Sequence, residues 1–333
     1  MRVGRNPKKE DPEKIVYKPH RLIIPVFIPD LEGFHKEALE VFKYCFKSII
    51  ESVDPEYTNI SIIDNNSCIE VRNYLEGILK EGKIDRLIIN YRNYGKVHPI
   101  ISEARASSEE FITFSDADIY YLPGWVENMF RVFHLFPKAG AVATLVNPTL
   151  YKYCNDCCLI DNMIPFNRIK KGKVSDSKAI EINTGIFSEE HYGVKDERIP
   201  KEILDYQFYL QKDGYNVLIG CGHQSVTIRR DVLFSDIHKK VVYVFYEKMR
   251  LEYNNYDKYV DLNGFWRLST SDNYAFHIGN KIQSIENNLK ENTGNEIKEF
   301  ISDNYKRSFY RLLPTGIRSF IAKLLTKIYN VRY

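Results

Sequence analysis

"FITFSDADIYYLPGW", Phe111 to Trp125, is the stretch that decides the fold. Phe111, Ile112, Thr113 and Phe114 have the aromatic and β-branched character of a strand buried on both faces. The run ends on Asp116 and Asp118, and "PGWVENMFRVFHLFP" then has helical character, with Pro137 marking its end. A buried strand that empties into an acidic turn and then a helix is a repeating unit of an α/β sheet.

The same alternation extends on both sides. "RLIIPVFIP" from Arg21 is a strand, and "HKEALEVFKYCFKSIIESV" places Leu39, Phe42, Phe46, Ile49 and Ile50 at helical spacing. "NISIIDNNS" is a second strand, "VRNYLEGILKEG" a helix stopped by Gly82, and "DRLIINYRNYG" a third strand. "HPIISEARAS" is a short helix, "EFITFSDAD" the fourth strand and "GAVATLV" the fifth. This order predicts an α/β fold, a mostly parallel sheet flanked by helices. Ligands of such sheets sit beyond the carboxyl ends of the strands. That rule selects Asp64, Asn65 and Asn66 after the second strand, Asn93, Gly95 and Lys96 after the third, and Asp116 and Asp118 after the fourth. Later in the chain, "KEILDYQFYLQKDGY" reads as a helix closed by Gly214.

At 333 residues the chain holds one large domain or two ordinary ones, with a hydrophobic content of 44% to fill a core. A net charge of +3 is too small to argue for nucleic acid across the whole surface, and no nucleic-acid partner is expected. No apolar stretch reaches the roughly 20 residues that span a bilayer. Residues 1–20 are charged, lack the apolar stretch of a secretory signal, and read as a flexible leader. "CNDCC" groups Cys154, Cys157 and Cys158, yet no second pair completes four zinc ligands, so the thiols read as reduced cysteines.

Side chains at i and i+2 of an extended strand share a face, so Asp116 and Asp118 either share a divalent cation or form an ordinary Asp-rich turn. Mg2+ and Mn2+ suit such oxygen ligands.

In order and spacing, "RLIIPVFIP", "ISIIDNNS", "NYGK" and "FITFSDADIYYLPGW" resemble the landmarks of family-2 nucleotide-sugar glycosyltransferases of the GT-A (Rossmann-like) fold. The resemblance implies a nucleotide-sugar-binding half over 21–148 and an acceptor-binding half over 149–283. It implies that Pro25 and Val26 line the nucleotide pocket and that Asp64 bonds the base or ribose. Asn66, Asn93, Lys96, Asp116 and Ala117 complete the nucleotide-sugar site, with Lys96 near the phosphates. Asp118, with Asp116, is the implied ligand of Mn2+ or Mg2+, and His277 in "NYAFHIGN" a further one; His223 in "GCGHQS" is the rival, and a hydrogen-bonded core histidine the alternative. For an inverting transfer the implied base is Asp205, or else Glu202, although Ile203 departs from the family's acidic pattern. A UDP-sugar donor and a glycan or lipid-linked glycan acceptor, contacted through "SCIEVRN" and residues 150–200, follow from the same likeness. A retaining transferase and an inactive sugar-nucleotide-binding relative are the alternatives. A sugar nucleotidyltransferase would need a Gly-rich loop that "PVFIPDLEGF" does not supply. Trp125 either meets a sugar ring or packs under its helix.

Residues 284–333 form an extension: Ser284 to Tyr305 reads as a surface helix or linker, and the remainder as a basic amphipathic helical tail. Lys306, Arg307, Arg311, Arg318, Lys323, Lys327 and Arg332 meet no acidic residue there, while Ile317, Phe320, Ile321, Leu324, Leu325 and Ile328 recur at helical spacing. Such a helix suits an anionic membrane surface at its cytoplasmic face, or packs its stripe on the catalytic domain.

Overall fold

The structure is a computed structural model that describes residues 17–184, 201–234, 257–282, 297, 300 and 305–332. Along the chain it runs β1 (His20–Val26), α1 (Ala38–Ser52), β2 (Thr58–Asp64), α2 (Ile69–Lys80), β3 (Arg86–Ile89) and α3 (Val97–Ala106). It continues with β4 (Phe111–Ser115), β5 (Ile119–Tyr121), α4 (Trp125–Leu135), β6 (Ala139–Ala143), α5 (Asp156–Met163), β7 (Lys170–Gly172) and α6 (Ser177–Thr184). Then come β8 (Gln207–Lys212), β9 (Tyr215–Ile219), β10 (Ser225–Arg229), α7 (Arg230–Leu233), β11 (Trp266–Thr270), β12 (Ala275–His277) and α8 (Thr315–Ile328).

Ten strands form one sheet in the order β3-β2-β1-β4-β10-β6-β11-β9-β8-β7. The first four are mutually parallel, as the alternation requires. The sheet is nevertheless mixed: β10 runs antiparallel between β4 and β6, and β9, β8 and β7 close the far edge antiparallel. Both faces are covered. Leu22, Ile24 and Val26 of β1 pack with Phe42 and Phe46 of α1, Leu75 of α2 and Phe130 of α4 in one cluster. Ile23 joins Ile100 and Ala104 of α3 in the other. Period-two alternation of an all-apolar strand sends successive residues to opposite sides, and both sides need a helix.

Two elements differ from the sequence reading. "KEILDYQFYLQKDGY" is a short 3-10 turn, Lys201–Leu204, followed by the β8–β9 hairpin. Asp213 and Gly214 both take positive φ, 49° and 78°, which is the conformation of a tight two-residue hairpin turn and stops no helix. Also, Asp116 and Asp118 do not prolong β4. They lie in the turn between β4 and β5, and β5 leaves the large sheet to pair with β12. Their proximity comes from the turn, not from strand alternation.

β1 begins at His20, the last residue of the expected leader and one ahead of the expected strand, and His20 is fully buried. Its ring contacts Thr58 Oγ1 at 3.0 Å and Thr113 Oγ1 at 2.6 Å, and burial, partly offset by Glu109 and reinforced by Arg21, lowers its pKa to about 3. The unfolded chain therefore binds a proton that the folded state refuses between pH about 6.5 and about 3. Stability is expected to fall across that window by up to about 4–5 kcal/mol from this one group. Urea titrations at pH 7 and pH 4 should register the drop, and His20→Asn should flatten it.

No helix among the described residues is long and apolar enough to cross a membrane. α8 packs on α5 through Arg318, Ala322 and Thr326, and Arg318 reaches Asp261 at 2.9 Å. The expected stripe divides: Ile321 and Leu325 are partly buried against the core, whereas Ile317, Phe320, Leu324 and Ile328 are exposed. Of Ser284 to Tyr305, all but Ile297, Phe300 and Tyr305 lie outside the described residues, as do 185–200 of the expected acceptor region.

Candidate active site

The carboxyl ends of β1, β2 and β4 lie side by side, with Val26 paired to Asp64 in register. Beyond β4, the turn is held by Asp116 N–H donating to the Gln224 carbonyl at 2.8 Å and by Ile278 N–H donating to the Asp118 carbonyl at 2.9 Å. The second bond continues the β5–β12 pairing and delivers His277 to the turn. Its Nε2 lies 3.1 Å from Asp118 Oδ2. Asp116, Asp118 and His277 each present one ligand atom, all within 4.8 Å of one another, and all three are part-exposed. They are the metal-capable cluster of His, Cys, Asp and Glu among the described residues.

Asp118 Oδ1 is a buried oxygen with no hydrogen-bond partner. A buried carboxylate oxygen without a donor is costly unless a cation meets it. Two carboxylates and one imidazole form a donor set suited to Mn2+ or Mg2+, so the residues fit such an ion. Lys96, just ahead of α3, forms an ion pair with Asp116. Burial lowers its pKa to about 8, opposed by the charge of Asp118, which keeps it largely cationic at neutral pH. An ammonium beside a carboxylate pair is a ready counter-charge for phosphate oxygens.

The remaining expected residues fall into different roles. Asp64 is fully buried; its Oδ1 accepts from Ser67 N–H at 2.7 Å and its Oδ2 from Arg72 Nε at 3.0 Å. Asn65 ties the end of β2 to the following loop, donating to Asn93 Oδ1 and the Gly95 carbonyl and accepting from Asn90 Nδ2 and Tyr94 N–H. Asn66 is exposed with φ 73°. Pro25 is half-buried, but Val26 lies in the core, since neighbours on a strand face opposite ways; it offers the pocket only its backbone, and its carbonyl accepts from Asn65 N–H. Ala117 is partly buried against the core. Trp125 is fully buried and donates from Nε1 to Ser52 Oγ at 3.1 Å, so it packs under its helix.

Asp205 is exposed at the end of the 3-10 turn, and Glu202 is exposed within it. Ile203 between them is fully buried, which explains an apolar residue there. α6 touches both that turn and β12, so the candidate base and His277 flank one helix. His223 stands outside the three-residue cluster. Burial lowers its pKa to about 4, with the charges of Lys96, Arg267 and His277 acting the same way, and this places a neutral imidazole near the site. Asn65, selected for its place after β2, ties loops together, and the pairing of Arg72 with Asp64 is the role that the sequence did not reveal; an Arg one turn into the helix that follows an acidic strand end is its signal.

The cysteine cluster belongs to the core. Cys157 and Cys158 are fully buried, all six cysteines are free, and burial raises Cys154 to about 11 and Cys158 well above its ordinary value. These are neutral thiols.

Residues 34–150, from the loop ahead of α1 through β6, match the family model described as Glycosyl transferase family 2. No curated protein matches the sequence. Among solved structures, S. aureus TarS 1-349 is 12% identical with a TM-score of 0.44, over 78% of this chain and 60% of that one. The same protein in complex with UDP-GlcNAc aligns at 15% identity and a TM-score of 0.31, over 38% and 34%. The mannosyltransferase PcManGT from Pyrobaculum calidifontis, in complex with GDP-Man and Mn2+, aligns at 15% identity and a TM-score of 0.33, over 42% and 41%. The chain thus spans less than two thirds of the length of each.

Proposed function

Residues 34–150 carry a glycosyl transferase family 2 domain, and from that premise we propose that the protein is a metal-dependent, inverting glycosyltransferase of the GT-A fold. It moves a hexosyl or N-acetylhexosaminyl group from a UDP-sugar to a hydroxyl of a growing surface glycan or glycolipid. The observation that supports this reading best is the Asp116–Asp118–His277 cluster at the carboxyl ends of the parallel strands.

In the transfer, the acceptor oxygen bonds the anomeric carbon as that carbon's bond to the β-phosphate oxygen breaks, and the nucleoside diphosphate leaves. Asp118, Asp116 and His277 would hold Mn2+ or Mg2+, which supplies charge stabilisation to the departing diphosphate. Lys96 adds its own positive charge there. Asp205, with Glu202 as the alternative, takes the acceptor's proton. Asn65, Asn93 and Asp64 with Arg72 hold the loops that frame the nucleotide. Placement at the cytoplasmic face of an anionic membrane, through residues 284–333, belongs to the same proposal.

Calorimetry of UDP binding tests it. Mn2+ is expected to tighten UDP at least about 10-fold, the equivalent of about 1.4 kcal/mol, and UDP release from a panel of UDP-sugars should stop on chelation. Equal UDP affinity with and without Mn2+ would overturn the metal-dependent reading.

A further inference from the structure

A surface helix ordinarily turns its apolar stripe inward; α8 turns much of it outward. Its buried positions are Arg318, Ala322 and Thr326. On the opposite side Ile317, Phe320, Leu324 and Ile328 face solvent, Phe320 at 66% exposure and Ile328 at 63%. Phe309 and Leu312, in the 3-10 turn ahead of the helix, are exposed as well.

The arrangement is held by polar contacts on the inner face. Arg318, almost wholly buried, reaches Asp261, and Ser319 Oγ donates to Asp156 Oδ2 at 2.5 Å. Buried Val331 anchors the segment after α8, its carbonyl accepting from the Tyr151 hydroxyl at 3.3 Å. Turning the apolar side inward would break the Arg318 pair and leave Asp261 buried without its cation, which is costly.

We infer that the outward ridge Ile317–Phe320–Leu324–Ile328 is a membrane-inserting face, seated in the headgroup region of an anionic bilayer while the inner face stays docked on the catalytic body. This deepens the membrane placement proposed above and rests on it, but not on the assignment of the metal site. Charge complementarity selects the occupant. Lys323 and Lys327 are exposed along one side of the Phe320–Leu324–Ile328 row, and Lys306, Arg307 and Arg332 are exposed nearby. No acidic residue occurs from Tyr305 to Tyr333. A second copy seated on the ridge would bring two cationic rows together, whereas anionic headgroups meet them with opposite charge.

Flotation of the full chain with phosphatidylcholine vesicles, and with vesicles that also contain phosphatidylglycerol, tests the assignment. The wild-type protein is expected to float with the mixed vesicles and far less with phosphatidylcholine alone. Phe320→Glu with Leu324→Glu should lower recovery at least about 10-fold, since each buries a charge in place of apolar surface. Lys323→Gln with Lys327→Gln should cost about 25-fold on the mixed vesicles. Both double variants should melt like the wild type and keep its UDP binding. Failure of the wild-type chain to float, or variants that float equally well, would overturn the inference. So would a dimer in sedimentation that the Glu variants dissolve, because the ridge would then belong to a second copy. Vesicle binding without UDP binding would strike the enzymatic reading alone.

Discussion

Asn in place of Asp118 is expected to lower turnover by about 10²–10³-fold, the range seen when one preorganised group that stabilises developing charge is removed. It should also erase the effect of Mn2+ on UDP binding. The geometry explains both. Asp118 contributes one oxygen 3.1 Å from His277 and a second that is buried without a donor. Asparagine keeps the shape but gives up the negative charge and one of the two acceptor oxygens. Folding is expected to survive, because relief of the repulsion between Asp118 and Asp116 offsets the attraction to Lys96 that the variant gives up. The metal-free melting temperature should therefore hold or rise. Turnover and manganese response unchanged in the variant would remove the cluster from the mechanism.

Arg21→Leu is expected to destabilise the fold by about 3–5 kcal/mol. Arg21 is almost fully buried on β1, where Nη2 meets Glu109 at 2.6 Å and Nη1 meets Asp85 at 2.8 Å and Ser61 Oγ at 2.6 Å. Burial alone would lower its pKa, but the bonds to Glu109 and Asp85 outweigh it and the net direction is up. For Glu109, burial pushes upward and the bonds from Arg21 and Asn59 carry it below its ordinary value. Removing the guanidinium leaves buried Glu109 without its cation, while Glu103 loses a distant one at 3.8 Å and keeps Arg86 at 3.2 Å. Urea unfolding measures the cost. Adding Glu109→Leu to the variant should restore part of it, since the uncompensated charge, rather than a lost attraction, dominates. A cost under about 1 kcal/mol, the level of an exposed pair, would mean water reaches this cluster.

Legibility varied with the range of the interactions involved. Apart from β5, the strands and helices from β1 to β6 are readable because each repeats a short period: Leu39, Phe42, Phe46 and Ile49 line one side of α1, and "LII" in β1 is apolar without a break. The β8–β9 hairpin was misread because Ile203, Phe208 and Leu210 fit a helical spacing loosely as well as a strand. The Asp213–Gly214 pair was the decisive local signal, with both residues on the left-handed side. β5 and β12 have three residues each, too few for any period to show, yet they alone carry His277 to Asp118. The resemblance places Val26 in the pocket, but the alternation of β1 turns its side chain into the core.

The α/β alternation, and the kinds of side chain that leave the carboxyl ends of the parallel strands, can be read from the residues in order. Those properties are local, set by apolar periods and turn residues within about ten positions. It takes the folded chain to show that His277 rather than His223 joins the aspartate cluster, that Cys157 and Cys158 are core, and that α8 turns much of its apolar side to solvent. Each depends on which distant groups meet and on how much water they lose, and α8 is the clearest case: one buried Arg318–Asp261 pair outweighs the amphipathic pattern in setting which side of the helix faces in.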